Sequence, residues 1–294
     1  MATGYSLHLG LNFVDPAHYG GWDGELRACE FDANDMAAIA KRLGYAEATV
    51  LLTREATSGR FVQEMLRLSK AAVPGDFLLL TYSGHGGQIP DEGSEEDDKY
   101  DETWCLYDRQ VIDDEIYRLL GQFKAGVRIL SLSDSCHSGS VLRERQRAGG
   151  PGPEDLTRVV ARASRDMMPA DAVPPEEGTR ARVAPIEVTM DAYNEHKDMY
   201  LALQAATAGA EDIPPAAGAL LISGCQDAQV SLDGSKNGLF TANMKKVWKE
   251  GAFEGGYRRF HEMIVGRMPP TQTPNLFPVG AVTPEFLNQK PFTV

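Results

Sequence analysis

Tyr5, Leu7, Leu9 and Leu11 alternate with smaller or polar residues, a period of two that predicts a strand over residues 5–13. A glycine-rich loop follows from Tyr19 to Gly24. The period then changes: Met36, Ile39, Ala40 and Leu43 recur at i, i+3, i+4 and i+7, which predicts a helix over 32–43 stopped at Gly44. A short strand is expected over 49–53, and a second amphipathic helix over 58–72, carried by Phe61, Val62, Met65 and Leu66 and broken by Val73-Pro74-Gly75. Residues 77–82 form an unbroken apolar run, the mark of a parallel strand covered on both faces. A helix over 113–123, a buried strand over 127–133, a strand over 219–223, helices over 239–249 and 257–268 and a strand over 275–279 complete the pattern. Strands alternating with helices imply an α/β sandwich around a largely parallel sheet.

One stretch departs from this pattern. Residues 143–182 hold Pro151, Pro153, Pro169, Pro174 and Pro175, eight arginines and no lysine, with little periodicity. This reads as a long, mobile excursion, with order resuming by Met199. Charge is also uneven. The formal net charge is −13, yet residues 91–115 alone hold 12 acidic and 2 basic residues, so the rest is nearly neutral. A nucleic-acid binder should carry a basic patch instead, and no nucleic-acid partner is expected. No apolar run approaches the roughly 18 residues of a membrane span. The first Lys or Arg is Arg27, so the basic start of a secretory signal is missing. The four cysteines, Cys29, Cys105, Cys136 and Cys225, are widely spaced and read as free thiols. A cytoplasmic location is the expectation.

Two of the apolar strands run directly into unusual polar segments, Tyr82-Ser83-Gly84-His85-Gly86-Gly87 and Asp134-Ser135-Cys136-His137-Ser138-Gly139. In open parallel sheets, ligands bind beyond the carboxyl ends of the strands, where both segments lie. A Cys and a His delivered there from separate loops suggest a nucleophile and its base: the thiolate attacks carbonyl carbon, and the imidazole later protonates the leaving amine. Flanking glycines let backbone N–H groups approach a developing oxyanion. Taken singly, each residue has an ordinary structural role; the pair is what points to catalysis.

These two segments resemble those of the caspase-like peptidases, and specifically the metacaspase branch. The resemblance extends through Leu26-Arg27-Ala28-Cys29-Glu30-Phe31-Asp32, the acidic stretch with Tyr100-Asp101-Glu102, Ile112-Asp113-Asp114-Glu115 and Ser223-Gly224-Cys225-Gln226-Asp227. It implies a caspase-like three-layer α/β/α sandwich with a mostly parallel central sheet. Residues 1–142 would form the large-subunit part, 143–198 the Arg/Pro-rich intersubunit linker and 199–294 the small-subunit part, with no prodomain ahead of the first strand. The resemblance implies a Cys136–His85 dyad, an oxyanion hole from the Gly86 and Cys136 amides, and an S1 pocket of Cys29, Asp32, Ser83 and Asp134 that takes Arg or Lys. Charge supports the last point independently, since two carboxylates beside a nucleophile favour a cationic side chain. Asp32 has a second reading as the N-cap of its helix.

Many metacaspases need calcium, and Asp97, Asp113 and Asp114 match three of its ligands. The fourth position, seven residues after Cys136, is Arg143, the wrong charge for a Ca²⁺ ligand. No metal or other cofactor is therefore expected to be required, with Arg143 or another linker arginine neutralising the cluster, or the acidic loop being merely a solvated surface. Arg143, Arg145, Arg147, Arg158, Arg162, Arg165, Arg180 and Arg182 are candidate processing sites for an Arg-specific zymogen, cut by itself or by an upstream activating protease. The expected partners are protein or peptide substrates with Arg or Lys at P1, and a monomer is expected. The competing reading is a catalytically idle caspase-like adaptor that binds peptides or partner proteins.

Overall fold

Six strands form the central sheet in the order β2-β1-β3-β7-β8-β9, with β1 Gly4–Gly10, β2 Glu47–Leu52, β3 Phe77–Ser83, β7 Arg128–Asp134, β8 Gly218–Ser223 and β9 Asn275–Gly280. The first five run parallel and β9 pairs antiparallel with β8. A smaller antiparallel sheet, β4-β5-β6, comprises Gly86–Pro90, Tyr100–Cys105 and Gln110–Ile112. The computed structural model describes residues 1–91, 100–136, 161–162, 167–176, 179–210, 213–226 and 229–294. Helices among them are α1 Cys29–Arg42, α2 Ser58–Ala71, α3 Asp113–Leu120, α4 Ile186–Glu195, α5 Lys197–Thr207, α6 Leu239–Trp248, α7 Tyr257–Val265 and α8 Pro284–Asn288.

The packing of β3 explains why five of its seven residues are apolar. Phe77 and Leu79 face a core shared with α1, α6, α7 and α8, while Leu78, Leu80 and Tyr82 face a second core shared with α2 and α3. Successive side chains point to opposite faces of a strand, so a strand between two helical layers needs no polar face. Each fully buried Leu, Phe or Met contributes about 1.5–3 kcal/mol. The result is the expected three-layer α/β/α sandwich. Among the described residues, no helix is long and apolar enough to cross a membrane.

Three local expectations change. The first strand ends at Gly10 rather than residue 13, because the chain turns there so that Asn12 meets the start of α1. α1 begins at Cys29, before Asp32, and its first amides are capped by Asn12, whose Oδ1 accepts from Cys29 and Glu30 N–H at 3.1 and 3.3 Å. Asp32 is therefore not the N-cap. The third change concerns the interval 143–198. Residues 179–198 within it are packed against the body of the molecule, α4 lies against β4, and Thr189, Ala192 and Tyr193 are buried. Ile186, Val188, Met190 and Ala192 alternate with polar residues, a period of two that does not announce a helix.

Candidate active site

The parallel register brings the site together. Ser83 pairs with Asp134 across β3 and β7, so the chain that follows each strand emerges side by side at one end of the sheet. His85 leaves β3, Cys136 leaves β7, and both are buried. His85 Nε2 lies 2.8 Å from the Gly24 carbonyl. A carbonyl can only accept, so Nε2 carries the proton and Nδ1 holds the lone pair. That Nδ1 is buried and has no hydrogen-bond partner among the described residues. Burial pushes the imidazole down to about 4, against the raising influence of the Gly24 carbonyl, Asp233 and the Val183 backbone. The ring is thus neutral at physiological pH. Trp22 packs over it with ring centroids 4.8 Å apart. Cys136 Sγ lies against Ser231, accepting from its amide and 3.5 Å from its carbonyl oxygen.

The cleft is filled by the chain itself. Arg180 to Ala184 runs through it as an added strand. Arg182 N–H donates to Ser231 O at 2.9 Å, Asp233 N–H donates to Arg180 O at 2.8 Å, and Ala184 N–H donates to Gly86 O at 2.8 Å. Ala181 pairs antiparallel with Leu232, and Val183 parallel with Gly86. Between these pairings, the Arg182 carbonyl oxygen receives two N–H donors, from Gly86 and Cys136, each at 3.1 Å. Glycine is required at 86 because a Cβ there would overlap the Cys136 carbonyl.

The Arg182 side chain is 0% exposed. Its Nη1 donates to Ser83 Oγ at 2.8 Å and the Asp134 carbonyl at 3.1 Å, and lies 3.0 Å from Asp134 Oδ2. Its Nη2 donates to Asp32 Oδ2 at 2.7 Å and Asp233 Oδ1 at 2.9 Å, and Nε reaches the same Asp233 oxygen at 3.3 Å. The carboxylates are themselves held. Asp134 accepts from Ser231 Oγ and Thr241 Oγ1 at 2.7 Å each, Asp32 from Ser83 Oγ at 2.7 Å and Asn237 Nδ2 at 2.9 Å, and Asp233 from the Arg27 amide at 2.8 Å. Burial and the neighbouring Asp134 lift the Asp32 carboxyl to about 6 even though Arg182 draws it down. The Cys29 thiol is raised by burial, with Arg182 acting in the opposite sense. Three buried carboxylates converging on one point form a pocket that strongly disfavours remaining without a cation.

Of the residues singled out from sequence, His85, Gly86, Cys136, Cys29, Asp32, Ser83 and Asp134 all converge here, together with Arg182 of the arginine-rich interval. Arg180 instead reaches the Glu25 carboxylate and carbonyl at the rim, and Arg162 is exposed. Arg143, Arg145, Arg147, Arg158, Arg165 and Asp97 lie outside the described residues. Asp233, Ser231 and Gly24 were not foreseen. The one legible hint was Ser231-Leu232-Asp233-Gly234, where polar residues flank a lone apolar one as on an edge strand. Cys225 is a buried thiol, raised by its contact with the Cys136 thiol and by burial.

The family model of the caspase domain, a peptidase family, matches residues 13–288. The chain belongs to the caspase-domain family. Within that family it is similar to metacaspases. Metacaspase-1A of Aspergillus clavatus is 39% identical over 151 residues, covering 47% of this chain and 34% of the relative. Metacaspase-1 of Emericella nidulans is 38% identical over 151 residues, covering 47% of this chain and 36% of the relative. The chain thus aligns with about a third of the length of these curated relatives. The crystal structure of protein GSU0716 from Geobacter sulfurreducens matches over 99% of both chains at 46% identity, with a TM-score of 0.84.

Asp113 and Asp114, two of the expected calcium ligands, open α3, where Asp113 Oδ1 accepts the Asp114 amide at 3.1 Å. Among the described residues, no group of three His, Cys, Asp or Glu could hold a metal ion.

Proposed function

We propose that this caspase domain is a cysteine endopeptidase that cuts after arginine, made as a zymogen whose first substrate is its own Arg182–Val183 bond. One observation carries the reading: Arg182 has its guanidinium among three carboxylates while its carbonyl oxygen receives the Gly86 and Cys136 amides. Recognition of a side chain and polarisation of the adjacent carbonyl are thereby combined in one residue.

In this reading Cys136 is the nucleophile. Its thiol turns from Ser231 towards the Arg182 carbonyl carbon, and His85 Nδ1 takes its proton. Negative charge gathers on the carbonyl oxygen, where the two amides stabilise it. The imidazolium then protonates the Val183 nitrogen, the C–N bond breaks, and a thioester joins Cys136 to Arg182. Water activated by His85 resolves the thioester. Arginine is preferred over lysine because a guanidinium offers five N–H donors in a fixed plane, and here its three nitrogens reach three separate carboxylates. An ammonium is a single point and leaves at least one of them unpaired.

The test is a panel of fluorogenic peptides ending in Arg, Lys or Asp, each with and without Ca²⁺, alongside mass spectrometry of the chain itself. Arg peptides should turn over about tenfold or more faster than Lys peptides, the worth of one charge-assisted hydrogen bond, with Asp peptides inert and Ca²⁺ unnecessary. The chain should be cut after Arg182, and Cys136→Ala should stay whole. No turnover of any basic peptide together with an intact chain would favour the idle-adaptor reading, and a requirement for Ca²⁺ would overturn the calcium-free one.

A further inference from the structure

Cutting the Arg182–Val183 bond breaks one covalent link but none of the contacts that hold its two ends. On the leaving-group side, Val183 and Ala184 are buried and paired with Gly86, and only Pro185 separates them from α4. That helix is fixed to the small sheet. Gln110 Nε2 donates to the Thr189 carbonyl at 3.2 Å, and Tyr193 packs with Tyr200 of α5 against Ile89 and Ile112. α5 is fixed as well: the Gln110 amide donates to Tyr200 Oη at 3.2 Å, and Gln204 Nε2 donates to the Pro90 carbonyl at 2.7 Å. On the other side Arg182 keeps its three carboxylates and its pairing with Ser231. A substrate in trans loses its leaving amine by diffusion. Here the amine is tethered to two packed helices.

We infer that the enzyme also carries out the reverse reaction on itself: the retained Val183 α-amine attacks the Arg182 thioester and reseals the bond, so that self-cleavage is reversible and does not by itself open the primed half of the cleft. The step balances without a co-reactant. The Val183 nitrogen lone pair forms the C–N bond, the C–S bond breaks, and the amine proton passes through His85 to the Cys136 sulfur. Groups held in reacting geometry reach effective molarities of about 10⁵–10⁸ M, so the tethered amine competes well with water for the thioester. The inference rests on the proposed peptidase reading. Its consequence is that lasting activity on other proteins needs a second event that lifts Val183-Ala184 off Gly86 and frees Arg182 from its carboxylates.

The experiment incubates the full-length wild-type chain in buffer and in buffer containing hydroxylamine, with intact-mass analysis of both. In buffer the cut fraction should reach a plateau with whole chain persisting. Hydroxylamine captures the thioester irreversibly, so the cut should rise at least severalfold towards completion, with Arg182 carrying a hydroxamate rather than an acid. Ala184→Lys places a charged chain where Ala184 is buried and loosens the primed strand. It should cut to completion without hydroxylamine and turn over Arg peptides faster than wild type. A wild-type chain that cuts fully in buffer and carries only the acid with hydroxylamine present overturns resealing, whether or not Ala184→Lys folds. No cut after Arg182 in either protein, and no peptide turnover, instead removes the peptidase reading itself.

Discussion

The two halves of the cleft hold the same strand by opposite physical means. On the unprimed side the grip is charge: one guanidinium, wholly removed from water, is shared among Asp32, Asp134 and Asp233. On the primed side it is packing: Val183 pairs with Gly86 and enters the core cluster that holds Cys136 and Leu232, while Ala184 joins the small apolar group of Val14, Tyr19, Cys105 and Ala192. Charge gives selectivity, because a buried carboxylate that loses its partner is costly, and any free arginine can in principle replace Arg182. Packing on a tethered helix gives retention, because no outside peptide brings α4 with it. In the proposed reading the first half chooses a substrate and the second keeps this one.

The sharpest way to break that contrast is Asp134→Asn. Losing one partner of a buried charge contact costs about 2–5 kcal/mol, so kcat/KM toward Arg peptides should fall roughly 30- to 5,000-fold. If the loss were no greater than for a rim residue, selectivity would not lie in the carboxylates. An intermediate effect concerns pH. As pH falls through about 6, Asp32 takes up a proton and the pocket loses one negative charge, whereas His85, pushed down to about 4, stays neutral. The pH profile of kcat/KM on an Arg peptide should therefore decline below about 6, and Asp32→Asn should remove that limb from its lower residual activity. Persistence of the limb in the variant would place the titration elsewhere. The smallest effect belongs to Arg180→Ala. Its contact with Glu25 is exposed, and such pairs contribute about 0–1 kcal/mol, so the self-cleavage rate should change less than about fivefold.

Much of this site could be read in the order of the residues. The apolar run of β3 ending in Ser83-Gly84-His85 and that of β7 ending in Asp134-Ser135-Cys136 placed a Cys and a His at strand ends, and periodicity located α2 and the central-sheet strands within a few residues, but not the small sheet β4-β5-β6. Asp32 was visible, though its position relative to the helix start was not, because Asn12 supplies the cap from a different loop. Gly24 carried no local signal, and Asp233 only the faint one of its Ser231-Leu232-Asp233-Gly234 segment. Both act through long-range contacts, Asp233 to Arg182 and the Arg27 amide and Gly24 to His85, and a carboxylate or a carbonyl in a loop looks the same whatever it meets. Helix α4 escaped for a related reason: its apolar residues alternate with polar ones as in a strand, and packing on β4 stabilises it as a helix.

By itself, the sequence determined the layered α/β architecture, since alternating periods of two and 3.6 are properties of consecutive residues. It also determined the chemical kinds of group available: a thiol, an imidazole, carboxylates and eight candidate arginines. Which arginine enters the pocket was decided only by the tertiary structure. Arg182 occupies it because the three residues after it lead directly into α4, whose docking on the small sheet fixes where that arginine must lie. Proximity between residues 150 or more positions apart depends on how layers pack, and no run of neighbouring residues encodes it.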